Sequence, residues 1–210
     1  DDFFALLYLA NVGRDIAAIT VSPGDPDQIA FVRWACKEIG LSVPVGTARD
    51  PKEVKESLSG PHAKMLDRVG APKTATADGR GQDIIAAQFA SHPDTDVYIC
   101  GPVKNFGRYL REGGTVGENA TILMQGGFVP YSIYPPTERL DKFEGLATCP
   151  TFNLGGDKAG SEALLARNGI HFVGKNLCHT LFYTREVHQG LVRETTIYQI
   201  FGREMDTYLE

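Results

Sequence analysis

The chain alternates short β-branched runs with longer stretches of helical spacing, and this alternation sets the expected architecture. Phe3-Phe4-Ala5-Leu6-Leu7-Tyr8-Leu9-Ala10 is apolar nearly all round and predicts a buried helix with Asp1 and Asp2 at its N-terminus. Ile16-Ala17-Ala18-Ile19-Thr20-Val21 reads as a buried strand closed by the turn residues Ser22-Pro23-Gly24-Asp25. Helical spacing returns from Asp27 to Ile39, with Gly40 placed to end it. Val43 to Gly46 is a short strand candidate and Pro51 to Leu58 a charged, exposed helix.

From Gly60 to Gly81 the chain is polar and punctuated by Gly and Pro, which predicts a long connection or lid. Beyond it, Asp83 to Phe89 reads as a helix, Asp96 to Cys100 as a strand, Asn105 to Arg111 as a helix and Ala120 to Met124 as a strand stopped by Gly126-Gly127. A proline-rich irregular stretch runs from Phe128 to Asn153. Asp157 then caps a helix through Arg167, His171 to Gly174 forms another strand, and the tail from Glu186 to Leu209 is mostly helical. Strands alternating with helices over the whole length imply an α/β fold with a mostly parallel sheet. Such sheets place their chemistry just beyond the carboxyl ends of the strands. Here those ends fall at Ser22 to Asp25, Cys100 to Asn105, Met124 to Gly127 and Gly174 to His179.

Composition narrows the function classes. The 21 Lys plus Arg against 26 Asp plus Glu leave a net charge of −5, which gives no electrostatic reason to expect a nucleic acid or an anionic membrane as partner. No apolar run approaches the ~18 to 20 residues of a membrane helix. No basic segment with an apolar stretch precedes a small-residue cleavage site, and a cytoplasmic location is the expectation. Cys36, Cys100, Cys149 and Cys178 stand too far apart for zinc or redox spacing and read as reduced thiols.

Several motif chemistries are missing. Neither Gly79-Arg80-Gly81 nor Gly113-Gly114-Thr115-Val116-Gly117 completes a dinucleotide-binding loop, and neither a phosphate-binding GxxxxGK[ST] loop nor a GxSxG nucleophile elbow occurs. Asp1-Asp2 remains open to two readings. Acidic residues in a first helical turn complement the helix dipole for about 0.3 to 1 kcal/mol. As a site, adjacent carboxylates on a strand-to-helix turn are hard oxygen ligands for Ca²⁺ or Mg²⁺. Asp25, Asn105, Asn153 and Asn176 add a polar group at each further strand end, where turn or cap duty is the ordinary role.

Taken in order, these pieces resemble a known family. Asp1-Asp2 before an apolar helix, Pro23-Gly24-Asp25, Ala77-Asp78-Gly79-Arg80-Gly81, Cys100-Gly101-Pro102-Val103-Lys104-Asn105, Leu123-Met124-Gln125-Gly126-Gly127, Thr151-Phe152-Asn153 and Asn176-Leu177-Cys178-His179-Thr180 follow the order seen in the nucleoside hydrolases of the inosine–uridine type. The resemblance implies an open Rossmann-like sheet with helices on both faces and a Ca²⁺ ion at the strand ends. It implies hydrolysis of the N-glycosidic bond of a ribonucleoside to free base and ribose, by a calcium-bound water and through an oxocarbenium-like transition state, in a homodimer or homotetramer serving purine or pyrimidine salvage.

By the same resemblance, Asp1 and Asp2 align with the last two aspartates of a DxDxxxDD motif. Asp2 would bind calcium, and Asp1 would hydrogen-bond a ribose hydroxyl. The backbone carbonyl of Cys100 would be a second metal ligand. Asn153 matches a ribose-holding Asn and Met124 a Met lining the sugar pocket. Asp25 stands where the family has an Asn, and Thr151 where it has a Glu that grips the far end of the ribose. Tyr131 and Tyr134 are placed to stack on a leaving base or simply to sit in an exposed loop, and His179 falls near the rim. The motif's first aspartates would precede Asp1, and the family's late His-Asp pair should follow Glu210, since no such pair occurs in the chain. Residues 1–210 are therefore expected to form one α/β domain incomplete at both termini. The alternative expectations are a ribosyl-binding or subunit protein of the same fold without catalysis, and an α/β protein of another class.

Overall fold

The computed structural model describes residues 2–49, 60–191 and 202. The first half runs α1 (Asp2–Asn11), β1 (Ile19–Val21), α2 (Pro26–Glu38), β2 (Val45–Thr47), α3 (Gly60–Arg68), β3 (Gly79–Arg80) and α4 (Gly81–Ser91). The second half runs β4 (Val97–Ile99), α5 (Lys104–Arg111), β5 (Ile122–Gln125), α6 (Phe152–Gly155), α7 (Lys158–Leu165), β6 (Ile170–Val173), α8 (Lys175–Cys178) and α9 (Arg185–Leu191). Two 3₁₀ turns, Pro136–Glu138 and Asp141–Phe143, break up the proline-rich stretch.

Because helices separate the strands, the pairing is parallel throughout. One three-stranded sheet has the order β1-β2-β3, with Ile19 opposite Val45 and Val21 opposite Thr47. The other has the order β4-β5-β6, with Ile99 opposite Met124 and Met124 opposite Phe172. Helices cover both sides, so the expected α/β, Rossmann-like architecture is the one observed. The two sheets are tied at their carboxyl ends by Asn105, whose Nδ2 donates to the carbonyl of Val21 at 3.1 Å. Gly81 makes room for this side chain, since a Cβ there would come within 2.2 Å of Asn105 Oδ1.

Two apolar clusters hold the layers together. Phe89, Ile99, Val103, Phe106, Tyr109, Ile122, Met124 and Leu164 fill the space under β4 and β5, with the rings of Phe89 and Tyr109 stacked at 5.5 Å. Ala30, Phe31, Trp34, Ala35 and Leu66 form the second cluster beneath α2. None of the described helices is long and apolar enough to cross a membrane.

Most predicted elements stand within a few residues of their expected bounds, including the α2 stop, where Gly40 takes φ +68° just after the C-cap. Two expectations are corrected. The apolar first helix is not buried: only Leu7 is, and Tyr8 is 61% exposed. It is a one-sided helix, with Phe3 against Phe31 at 4.9 Å and Phe4 against Tyr183 at 5.6 Å. Nor is the stretch from Gly60 to Gly81 one long connection, because it carries α3 and β3. Met65, Leu66 and Val69 recur at helical spacing, and burying Leu66 completely outweighs the Gly-Pro start of that helix. The helix expected at Pro51 to Leu58, and most of the one expected from Glu186 to Leu209, lie outside the described residues.

Two stability predictions follow from this packing. Leu66→Ala is expected to lower unfolding free energy by about 2 to 5 kcal/mol in urea titrations, the cost of a truncated leucine with no exposed surface. Asp78 accepts from Arg33 Nη2 and from the Val45 amide, both at 2.7 Å, joining the approach to β3 to β2. The Arg33 hydrogen bond and then the Val45 amide hold its carboxyl below the usual carboxylate range. A lowered folded pKa contributes stability above the ordinary carboxylate pKa, and that stability is lost as pH falls through the lowered value. Since the pair is partly open to solvent, Asp78→Asn is expected to cost at most about 1 kcal/mol at pH 7, and nothing once the wild-type carboxyl is protonated, as read by urea midpoints at neutral and strongly acid pH.

Candidate functional site

The strand ends of the second sheet meet at one buried amide. Asn153, 6% exposed at the start of α6, donates through Nδ2 to Cys100 O at 2.7 Å, to Gln125 O at 2.9 Å and to Gln125 Oε1 at 2.5 Å. An amide nitrogen carries two hydrogens, so three acceptors around it compete, and the group sits in a strongly oxygen-rich spot. Local sequence explains the placement. Cys100 ends β4 at Gly101-Pro102, and Gln125 ends β5 at Gly126-Gly127, where φ values of +159° and +82° turn the chain sharply away. Thr151 precedes α6 in extended conformation, and its Oγ1 accepts from Gly127 N at 3.4 Å.

The network reaches the third strand end as well. Gln125 Nε2 donates to Cys178 Sγ at 3.2 Å, and the Lys175 amide donates to Gly127 O at 2.8 Å. Asn176, also buried, holds Val129 from both sides: Oδ1 accepts from its amide at 2.9 Å and Nδ2 donates to its carbonyl at 3.2 Å. Asp2 approaches from α1. Burial pushes the Cys100 thiol up, and the negative charge of Asp2 raises it further, so the carboxylate and the thiol lie within electrostatic reach. Surrounding protein also raises the Asp2 carboxyl by desolvation.

Asp2 thus stands within electrostatic reach of the Cys100 thiol at the end of β4, and a carboxylate and a main-chain carbonyl are the kind of hard oxygen donors Ca²⁺ takes. Two oxygens fall short of the ~6 to 8 in a full shell. Among the described residues no group of three His, Cys, Asp or Glu side chains is gathered for a metal. The Cys100 carbonyl is already engaged by Asn153, so a cation there would share or displace that hydrogen bond.

The remaining candidates are more dispersed, and Asp1 lies outside the described residues. Asp25 is the N-cap residue of α2, buried, with Oδ1 2.9 Å from Arg49 Nε, while its amide donates to Gln28 Oε1 at 3.0 Å. Met124 is fully buried within the apolar cluster under β5. Tyr131 lies under the Arg139 guanidinium at 4.8 Å, and Arg139 Nε donates to the Tyr134 carbonyl. His179 Nδ1 is 2.6 Å from Lys142 Nζ and its ring meets Phe143 edge-on; burial first, then Lys142 and Lys175, lower its pKa. All four cysteines are free thiols. Sequence reasoning passed over Gln125. Its position at a strand end directly before Gly126-Gly127 was the available signal.

Removing the central amide is expected to be costly even without ligand. Asn153→Ala leaves the Cys100 and Gln125 carbonyls without their donor and should lower unfolding free energy by about 1 to 3 kcal/mol, measured by urea denaturation.

No protein-family profile matches the chain. It is 26% identical over 195 residues to an uncharacterized protein of Aquifex aeolicus (strain VF5), covering 89% of this chain and 63% of that protein. The chain thus spans less than two thirds of that relative's length. In three dimensions it is similar to a plant nucleoside hydrolase, the PpNRh1 enzyme, with a TM-score of 0.69 and 16% identity, over 99% of this chain and 67% of that one. The fold is therefore a nucleoside hydrolase-like α/β fold.

Proposed function

We propose that the chain provides the site of a nucleoside hydrolase, cleaving the N-glycosidic bond of a ribonucleoside to free base and ribose. The observation that carries the reading is the meeting of Asn153 with Cys100 O and Gln125 at the ends of β4 and β5, with the Asp2 charge felt at Cys100. The likeness in fold to a plant nucleoside hydrolase supports it.

In this reading the Asp2 carboxylate and the Cys100 carbonyl would be two of the oxygen ligands of a calcium ion, whose chemistry would be to lower the pKa of a bound water. Asp1 orients a ribose hydroxyl by accepting a hydrogen bond from it. Asn153 turns its amide between the strand-end carbonyls and the sugar, fixing the ring where the anomeric carbon faces the attack. As the bond to the base breaks, positive charge develops on the sugar, and the carbonyl and carboxylate oxygens gathered at these strand ends are fixed where they stabilise it. Asp25 and Thr151 would border the sugar, and Met124, fully buried under β5, would act only by supporting that wall from within. Thr151 is short and neutral, which leaves room at the far end of the ribose.

A second reading, nucleoside binding without turnover, is favoured by one observation: two polar groups assigned to the sugar are already engaged, Asp25 by Arg49 and Asn153 by main-chain carbonyls. The two readings separate in one experiment. With added Ca²⁺, the chain is incubated with a panel of purine and pyrimidine ribonucleosides, and free base is followed by chromatography. Turnover that falls more than about 10²-fold in Asp2→Ala supports hydrolysis at this site. Saturable nucleoside binding without base release supports the second reading. Unchanged turnover in both Asp2→Ala and Asn153→Ala overturns the assignment of the site.

A further inference from the structure

A second feature lies at the carboxyl ends of the first sheet, where none of Asp2, Cys100, Gln125 or Asn153 contributes. A cavity of about 480 Å³ is walled by Pro23, Ala48 and Arg49 from the loops after β1 and β2, and by Lys104, Arg108 and Arg111 from α5. Lys104, Arg108 and Arg111 are spaced four and three residues apart and so line one face of that helix. The turn between α6 and α7 closes the remaining side with Gly156 and Asp157.

The charge balance in this cavity is uneven. Asp25 accompanies Arg49 at 2.9 Å, and Asp157 is committed to capping α7, its Oδ1 accepting from the Gly160 amide at 3.1 Å. Arg108 Nη1 donates to the Ala48 carbonyl, which fixes the guanidinium across the cavity wall while its other N–H groups stay available. Among the described residues, no carboxylate lies within ion-pair distance of Lys104, Arg108 or Arg111. Among the described residues, three cations on one helix face thus outnumber the cavity's own carboxylate, Asp157, in a protein of net charge −5.

Helix electrostatics accounts for part of this pattern only. Arg108 and Arg111 in the last turn of α5 complement its dipole. Lys104 opens the same helix, where the dipole opposes a cation, and like charges at these spacings repel one another. An anion in the cavity would relieve both penalties.

We propose that this cavity binds the phosphate group of a small phosphorylated molecule. Arginine forks and a lysine point charge match a dianion with three exposed oxygens, whereas a single carboxylate would leave cations uncompensated. The volume exceeds that of phosphate alone and lies in the range of pockets that hold a small organic ligand, so a phosphate monoester carried on a sugar-sized body is the ligand class. The cavity shares no residue with those assigned to calcium or with Asn153, and it adjoins the proposed nucleoside pocket only through Arg49, which pairs with Asp25.

The test uses the full chain and isothermal titration with inorganic phosphate, ribose 5-phosphate and ribose at low and moderate salt. Saturable binding of both phosphate probes and none of ribose is the expected result. Lys104→Gln and Arg111→Gln should each weaken it by about 10-fold, the loss of one charge-assisted contact. Lys104→Gln removes a cation from the helix start, so its thermal midpoint should match or exceed that of the wild type, which separates lost binding from lost fold. Arg108→Lys keeps the charge but loses the fork and should bind at an intermediate level. Absence of saturable phosphate binding overturns the proposal, as does phosphate binding unchanged in the Lys104→Gln, Arg111→Gln double variant.

Discussion

Much of this molecule hangs on one buried amide. Asn153 reaches from a four-residue helix to carbonyls at the ends of β4 and β5, and its cost of desolvation is offset only because those acceptors are in place. Two strand ends that share no sequence proximity are thereby held at fixed separation. Gln125 carries the tie onward to Cys178, and Asn176 anchors the loop that leaves β5. The site's geometry and the local stability of the sheet edge are one property. A substitution that frees this amide to hold a ligand therefore also loosens the edge.

A second amide does the corresponding work between the sheets. Asn105 bonds the end of β1 from the first turn of α5, and it fits only because residue 81 lacks a Cβ. The joint leaves α5 with its apolar face, Phe106 and Tyr109, in the core, and its cationic face turned to the loops after β1 and β2. Electrostatics is segregated as a result. Oxygen atoms gather at the second sheet's edge, with the Asp2 charge felt there, while an excess of cations gathers at the first.

Legibility in the sequence followed the physics of each element. Strands bounded by Gly or Pro, such as β4 before Gly101-Pro102 and β5 before Gly126-Gly127, were readable because their β-branched runs and stops are local signals. Gly40 was readable as a helix stop for the same reason. Helix α3 was not, because its propensity is poor and its stability comes from Leu66 docking beneath α2. The exposure of α1 was hidden too, since apolar composition does not say whether a partner covers each side.

The sequence by itself determined the α/β alternation, hence parallel pairing, and hence that polar groups such as Asp25, Asn105, Asn153 and Asn176 would come to the carboxyl edge, because parallel strands deliver all their carboxyl ends to the same side. Tertiary structure alone decided how those groups are used. Asp25 and Asn153 were equivalent as polar residues at strand ends, yet one is held by Arg49 and the other faces three carbonyl oxygens. Arg49 is likewise joined to Lys104, Arg108 and Arg111 in one cavity only by folding. Hydrogen-bond partners and counter-charges distant in sequence are fixed by packing, and local pattern carries no record of them.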